Sequence, residues 1–190
     1  MPNYRRAYEE GGTYFFTVVT YDRMPFLTSA AGRRCLSTAI RIVKKERPFM
    51  LDAICLLPDH LHCMWTLPEN DSDFSTRWAL VKIGFTRLYT AACGSKSNGG
   101  HGLPGTASRK KKREASLWQR RFWEHLIRNE KDYYEHLDYI HFNPVKHGYV
   151  KRPRDWEWST FQKYVKKDIY PPDWYELPPE SVNGRKREME

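Results

Sequence analysis

The stretch 49–67 limits the fold of this chain more than any other part of the sequence. Two apolar runs, 49–57 and 60–67, are separated only by Pro58 and Asp59. Short apolar runs bounded by turn residues are typical of β-strands. Because two residues suffice only to join antiparallel strands, the sequence predicts an antiparallel strand pair here.

The second strand of this pair begins with His60-Leu61-His62. Residues i and i+2 of a strand lie on one face of a sheet, so both imidazoles point the same way and Leu61 points the other way. Two imidazoles on one face could bind a divalent metal together. They could equally be half-buried residues of the sheet, and the pair alone leaves both interpretations open.

The rest of the chain has the pattern of an α+β protein. Further strands are predicted at 14–21 and 117–128, and helices at 30–46, 75–92 and from 131 towards Gly148. The order of the first six elements is that of a ferredoxin-like (split βαβ) fold, an antiparallel sheet with helices on one face. We expect the opposite face to be free for a nucleic acid.

The length of 190 residues favours one domain. We place this domain at 1–170, with a glycine-rich basic loop at 93–116, and predict an extended or disordered tail at 171–190. The four cysteines form no C-x-x-C motif, so a structural zinc site is not expected and reduced thiols are the simple interpretation. Neither a signal peptide nor a run of about 20 apolar residues is present, so no membrane partner is expected.

The composition is that of a nucleic-acid-binding protein. The net charge is +9, and the chain carries 7 Trp, 12 Tyr and 9 Phe residues. Cations contact phosphates and aromatic rings stack on bases, although excess Lys and Arg can also be plain solvated surface. The candidate DNA-contacting residues are Asn3, Tyr4, Arg5, Arg6, Lys110, Lys111, Lys112, Arg113, Arg120 and Arg121.

The last main helix carries a possible nucleophile. Tyr139 and Asn143 are four residues apart and therefore share one helix face. If this helix packs beside the third strand, a phenol, an amide and the two imidazoles come together. His60, His62 and Asn143 could then hold Mg²⁺ or Mn²⁺ while Tyr139 attacks a phosphodiester.

Each of these residues also has a structural interpretation. Tyr139 could be a core aromatic residue. Asn143 precedes Pro144, a position that disfavours helical backbone, and could simply end the helix. His136 and His141 are predicted to be surface residues.

Several stretches resemble the REP-associated tyrosine transposases, relatives of the single-tyrosine HUH transposases of insertion sequences. They are Tyr4-Arg5-Arg6 and the segments 11–17, 57–68, 118–125 and 138–148. The resemblance implies an HUH-type nuclease domain in which Tyr139 is the nucleophile and His60, His62 and Asn143 are the metal ligands. The insertion-sequence relatives commonly have Gln at the position of Asn143.

The resemblance also implies a reaction and a partner. The substrates would be single-stranded DNA hairpins of REP elements, each preceded by a tetranucleotide. Cleavage would need Mg²⁺ or Mn²⁺, leave a 5′-phosphotyrosine and a free 3′-OH, and run in reverse to rejoin strands. The protein would be a monomer in the bacterial cytoplasm, near the nucleoid.

Two other functions are compatible with the residues themselves. The first is a non-catalytic, ferredoxin-like module that binds DNA or RNA hairpins and uses the histidines structurally. The second is a zinc hydrolase using His60, His62 and Cys63. It is disfavoured because neighbours in a strand point to opposite faces.

Overall fold

The fold is seen in a computed structural model that describes residues 7–93 and 117–174. The strands are β1 (Thr13–Val19), β2 (Met50–Leu56), β3 (His60–Thr66) and β4 (Trp123–Leu126). The helices are α1 (Ala30–Glu46), α2 (Phe74–Cys93), α3 (Glu130–Lys146) and α4 (Phe161–Val165), with 3-10 turns at Tyr21–Arg23 and Pro153–Asp155. Among these described helices, none combines the length and apolar character that crossing a membrane requires.

The four strands form one antiparallel sheet in the order β2-β3-β1-β4. This is the strand order of a split βαβ unit, so the predicted α+β, ferredoxin-like fold class is confirmed. The predicted strand pair is present as β2 and β3, with Leu56 opposite Leu61 next to the Pro58-Asp59 turn.

One face of the sheet is covered by α1 and α2, as predicted. The side chains of Phe16 and Trp65 point into this layer, where Trp65 stacks on Trp78 of α2 and Phe16 contacts Trp78 edge-to-face. Ser29 caps the start of α1, because its side chain accepts the Gly32 N–H at 3.0 Å.

The opposite face is covered by α3, so the prediction that it is free for a nucleic acid is wrong. Phe15 and Met64 point to this side and join Leu137 and Ile140 of α3 in a second apolar cluster. Because neighbouring positions of β1 such as Phe15 and Phe16 are both large and apolar, both faces of the sheet must be covered.

The predicted fourth strand at 117–128 is mostly not a strand. Only Trp123–Leu126 pairs with β1, and Trp118 forms a separate bridge to Thr20. Thr17 pairs with Trp123 and Thr20 pairs with Trp118. Between these two pairs β1 runs over three residues, whereas the opposite segment runs over five. The extra length bulges out of the sheet and includes the exposed residues Arg120 and Arg121.

Packed structure continues past residue 170. The rings of Tyr170 and Trp174 are both buried, and each packs on Phe161, with centroids 5.3 Å and 6.0 Å away. The part of the proposed tail that follows, 175–190, lies outside the described residues, as does most of the basic loop at 93–116.

Candidate active site

The two histidines of β3 lie side by side on the α3 face of the sheet. Their ring centroids are 5.0 Å apart, and both side chains are buried. Leu61 and Cys63 belong to the core on the other face. The predicted alternation is therefore confirmed, and Cys63 cannot join the histidines as the zinc-hydrolase hypothesis requires.

Each imidazole is oriented through its Nδ1 atom. His60 Nδ1 lies 2.7 Å from Asp59 Oδ1, and the other oxygen of this carboxylate accepts Arg23 Nη1 at 3.2 Å. His62 Nδ1 lies 2.9 Å from Thr17 Oγ1. Metal-binding histidines are commonly oriented in this way by a partner on the second nitrogen, which leaves Nε2 for the ion.

The charge states suit a metal site. Burial, and then Coulombic repulsion involving His60, His147, Lys146 and Arg23, lowers the pKa of His62 well below its ordinary value. Burial raises the pKa of Asp59, but hydrogen bonds and charge from His60 and Arg23 outweigh burial and hold it below its usual range. At neutral pH the site therefore presents a neutral His62 and an ionised Asp59, the states that cation binding requires.

Tyr139 of α3 is placed directly against this pair. Its ring centroid lies 5.1 Å from that of His62, and Lys146 Nζ lies 5.3 Å from the centre of the Tyr139 ring. The phenol and both imidazoles line one cavity of about 20 Å³, together with Thr17, Val19, Arg23 and His147. A cavity of this size holds about one water molecule or one ion.

Asn143 lies one helical turn beyond Tyr139 and is completely buried. The alternative that it ends the helix is wrong, because α3 continues through Pro144 to Lys146. Among the described residues, no hydrogen-bond partner reaches either its amide oxygen or its amide nitrogen. Buried amides without partners are rare and destabilising, so this one fits a role as a ligand to an ion.

His147 was not predicted as a site residue, yet it lines the same cavity and has its ring 5.2 Å from that of His60. One signal was present in the sequence. Tyr139, Asn143 and His147 follow one another at four-residue spacing, which keeps them near one stripe of a helix.

The predicted exposure of His136 and His141 is wrong, since both are buried. His136 packs on Phe15 with ring centroids 4.9 Å apart, and His141 Nε2 lies 2.9 Å from Thr160 Oγ1. The reason is that α3 is covered on two sides, by the sheet and by the chain around α4.

A second cluster of metal-binding residue types joins β4 to α3. His125 Nε2 lies 2.8 Å from Asp132 Oδ2, and His136 Nδ1 lies 3.0 Å from Asp132 Oδ1. These three side chains have ligand atoms within 4.8 Å of one another and could hold an ion. In this structure both imidazoles contact the Asp132 carboxylate, which also accepts the Arg128 N–H at 3.0 Å.

The predicted DNA-contacting residues are only partly described. Arg120 and Arg121 are exposed on the bulge before β4. The N-terminal group Asn3 to Arg6 and the basic group Lys110 to Arg113 lie outside the described residues.

Comparison with known proteins places the chain in a family. No family model matches it. It is 47% identical over 174 residues to the REP-associated tyrosine transposase of Escherichia coli K12, spanning 92% of this chain and 91% of that protein. A Haemophilus influenzae protein, provisionally named a REP-associated tyrosine transposase, is 44% identical over 185 residues, 97% of this chain and 99% of its own.

A solved structure of a REP-associated tyrosine transposase bound to a REP hairpin superposes with a TM-score of 0.75 at 45% identity, covering 94% of each chain. The chain therefore belongs to the REP-associated tyrosine transposases.

Proposed function

We propose that this transposase cleaves and rejoins single-stranded DNA at REP-type hairpins, through a 5′-phosphotyrosine on Tyr139 and with a divalent metal. The observation that carries the proposal is the placement of Tyr139 against His62, with ring centroids 5.1 Å apart in a shared cavity. The hairpin substrate is supported by the related transposase that was solved with a REP hairpin.

Two imidazoles that line the cavity, together with the buried amide of Asn143 one helical turn beyond Tyr139, form a donor set that suits Mg²⁺ or Mn²⁺. His60 and His62 would supply Nε2 atoms, and Asn143 would supply the amide oxygen that has no other described partner. When bound, the metal would polarise the scissile phosphate and offset its negative charge.

The cleavage step is one transesterification, in which the Tyr139 oxygen replaces the 3′-oxygen of the DNA on phosphorus. The phenolic oxygen of Tyr139 attacks phosphorus and loses its proton. An O–P bond to Tyr139 forms as the bond to the 3′-oxygen breaks, and that oxygen leaves as a 3′-OH after gaining a proton. Attack by a 3′-OH on the phosphotyrosine reverses the step, restores the phenol and needs no nucleotide energy source.

Cationic side chains around the cavity favour this transfer. Lys146 lies over the Tyr139 ring, and Arg23 lines the cavity while paired with Asp59. Positive charge held at this point stabilises both a phenolate and the extra charge on phosphate oxygens in the transition state. It also attracts the phosphate backbone before reaction.

The DNA contacts of the proposal come from three basic segments. Tyr4, Arg5 and Arg6 would read the tetranucleotide, and Asn3 beside them would also contact the DNA. Arg120 and Arg121, with the basic group Lys110 to Arg113, would contact the hairpin backbone. We propose further that the protein acts as a monomer near the nucleoid of a bacterial cytoplasm.

The test uses a hairpin oligonucleotide from the genome that encodes this protein, with its 5′ tetranucleotide and a label on the 3′ side. After incubation with Mn²⁺, a denaturing gel should show a shifted, protease-sensitive band that depends on the metal. Tyr139→Phe should abolish the band and retain hairpin binding. Tyr134→Phe is the matched control, because Tyr134 lies on the same helix and is 43% exposed.

Two outcomes would contradict the proposal. Cleavage by Tyr139→Phe at the wild-type rate would exclude Tyr139 as the nucleophile. Tight hairpin binding in a native gel without a covalent adduct, for several hairpins and at every metal concentration, would favour the non-catalytic binding module.

A further inference from the structure

We propose that the groove between α1 and β2 is a docking site for a partner protein, which places there an amphipathic helix whose apolar face is bordered by acidic side chains. The groove lies on the face of the sheet that α1 and α2 cover, whereas His60, His62 and Tyr139 lie on the α3 face. The inference is therefore independent of the metal site and of the proposed cleavage reaction.

The floor of the groove is aliphatic. Leu51 and Ile54 of β2 and Ile40 of α1 line it, and each of these side chains is only partly buried. α1 packs on α2 along its other side, and β2 is the outermost strand of the sheet, so a further helix would fit beside α1 at this end of the layer. Apolar side chains of such a helix would remove the aliphatic floor from water, which is favourable.

The size of the groove matches a helix of several turns. Its volume is about 770 Å³, and its lining residues on α1 run from Arg33 to Lys45. At 1.5 Å per residue this is a length of about 18 Å, or about three turns of a partner helix lying alongside α1.

The outer edge of β2 is not open to an added strand beside the groove. Leu56 N–H donates to the Trp158 carbonyl at 2.9 Å, and the Ile54 carbonyl accepts the Thr160 N–H at 2.9 Å. The backbone groups that would bind a partner strand at this point are therefore already paired. A helix held by its side chains is the recognition mode that suits the groove.

The rim of the groove is basic. Arg41, Lys44 and Lys45 are exposed along it, and Glu157 is the one acidic residue among the described lining residues. Complementary charge on a partner speeds association and fixes the register of the complex. Acidic side chains on both sides of the partner's apolar stripe would provide this complement.

The same cations would attract DNA, but the floor does not suit a nucleic acid. Aliphatic side chains offer neither hydrogen bonds to phosphates nor a surface for stacking. Trp158 is the one aromatic residue among the described lining residues, and it already has the Arg33 guanidinium 5.0 Å from its ring centre and Trp156 packed edge-to-face at 4.7 Å. Because bases stack on open aromatic faces, the groove favours an acidic protein helix over a nucleic acid.

The experiment measures, by fluorescence anisotropy at low salt, the binding of a labelled, lactam-bridged helical peptide to the full-length protein. The probe has about 18 residues, with Leu on one stripe at helical spacing, Glu on both sides of that stripe and Ala elsewhere. It should bind with a micromolar Kd. A second peptide with Lys in place of every Glu should bind at least about tenfold more weakly, because its charges repel the rim.

Two pairs of matched variants locate the binding. Lys44→Glu should weaken it about threefold to tenfold, whereas Arg34→Glu, a charge reversal at an exposed position of α1 outside the groove, should change it less than about twofold. Ile40→Ala should weaken binding about tenfold, whereas Ile42→Ala should leave it unchanged, since Ile42 is 48% exposed and lies outside the groove. Because Lys44 and Arg34 are exposed, their comparison does not depend on a change in fold.

Several outcomes would overturn the inference. Lack of peptide binding by the wild type, or equal losses within either pair of variants, would exclude the groove as the binding site. Displacement of the peptide by a REP-type hairpin, with hairpin affinity lowered by Lys44→Glu and not by Arg34→Glu, would assign the groove to DNA. A dimer of the protein alone in sedimentation velocity, dissociated by Ile40→Ala, would assign it to a second copy of this chain.

Discussion

Thr17 Oγ1 of β1 lies 2.9 Å from His62 Nδ1 of β3, so one interior strand of the sheet orients an imidazole of the other. Thr17→Val keeps the side-chain shape and removes this hydrogen bond. We expect Mn²⁺ affinity to fall about 10–100-fold, because loss of such orienting partners typically has that effect. Calorimetric titration with Mn²⁺ measures this change.

A control for this substitution lies on the same strand. Thr13 Oγ1 lies 2.8 Å from Thr66 Oγ1, so Thr13→Val also removes a hydrogen bond between β1 and β3. It should destabilise the fold to a similar extent and leave Mn²⁺ affinity unchanged. Equal affinity losses in the two variants would mean that Thr17 acts only through stability.

Arg77 of α2 is 1% exposed and ties the end of α1 to the start of α2. Its guanidinium contacts both carboxylate oxygens of Asp71, at 3.0 Å and 2.7 Å, and donates to the carbonyls of Arg47, Pro48 and Asp73. Arg77→Leu should reduce the free energy of unfolding by about 3–5 kcal/mol, since it leaves a carboxylate and several carbonyls without partners. Urea denaturation measures the loss.

Arg87 lies on the same helix with an exposed side chain. Arg87→Leu should change the free energy of unfolding by no more than about 0.5 kcal/mol. If both arginine variants unfold at the same urea concentration, the stabilising role of the Arg77 network is wrong.

Periodicity and alternation predict much of the fold. The apolar spacing in 30–46 predicts α1 to the residue, and the Pro58-Asp59 turn predicts the pairing of β2 with β3. The same rules place His60 and His62 on one face, and helical spacing places Tyr139 near Asn143, because these relations are local along the chain.

What the sequence does not predict depends on contacts between distant segments. The bulge at Arg120 and Arg121 arises from register against β1, which residues 117–128 do not encode by themselves. His147 joins the cavity only because α3 crosses β3, and Arg77 is buried only because Asp71 and the end of α1 surround it. A polar residue gives no local signal of such partners.

The exposed bulge provides a test of hairpin binding. If Arg120 and Arg121 each contact a phosphate, the double substitution to Gln should reduce the slope of log affinity against log salt by about 1.4–1.8. Fluorescence anisotropy with a labelled REP-type hairpin at several salt concentrations measures the slope.

Arg34 and Arg41 provide the control, because they are exposed on α1 and their substitution to Gln makes the same change in net charge. Their double variant should lower affinity slightly and keep the slope. The same decrease in slope for both pairs would indicate a general charge effect and no specific contact at the bulge.

His141 should make the fold sensitive to acid. Its ring is completely buried, with Nε2 2.9 Å from Thr160 Oγ1, and burial lowers its pKa from 6.5 to about 3. Above pH 6.5 neither the folded nor the unfolded chain protonates this ring. Between about pH 6.5 and 3 only the unfolded chain binds the proton. The free energy of unfolding should therefore fall, through this group, by up to about 1.4 kcal/mol for each unit by which the pH decreases.

His141→Gln keeps a polar side chain near Thr160 and removes the titration. Urea unfolding at pH 7, 6, 5 and 4 should therefore give a shallower pH dependence for the variant, whatever its stability at pH 7. The comparison isolates His141 because every other titratable side chain is the same in the two proteins. His62 and His136, whose pKa values are also lowered, therefore contribute equally to both curves. Parallel curves for the two proteins would show that His141 does not contribute to the acid sensitivity of the fold.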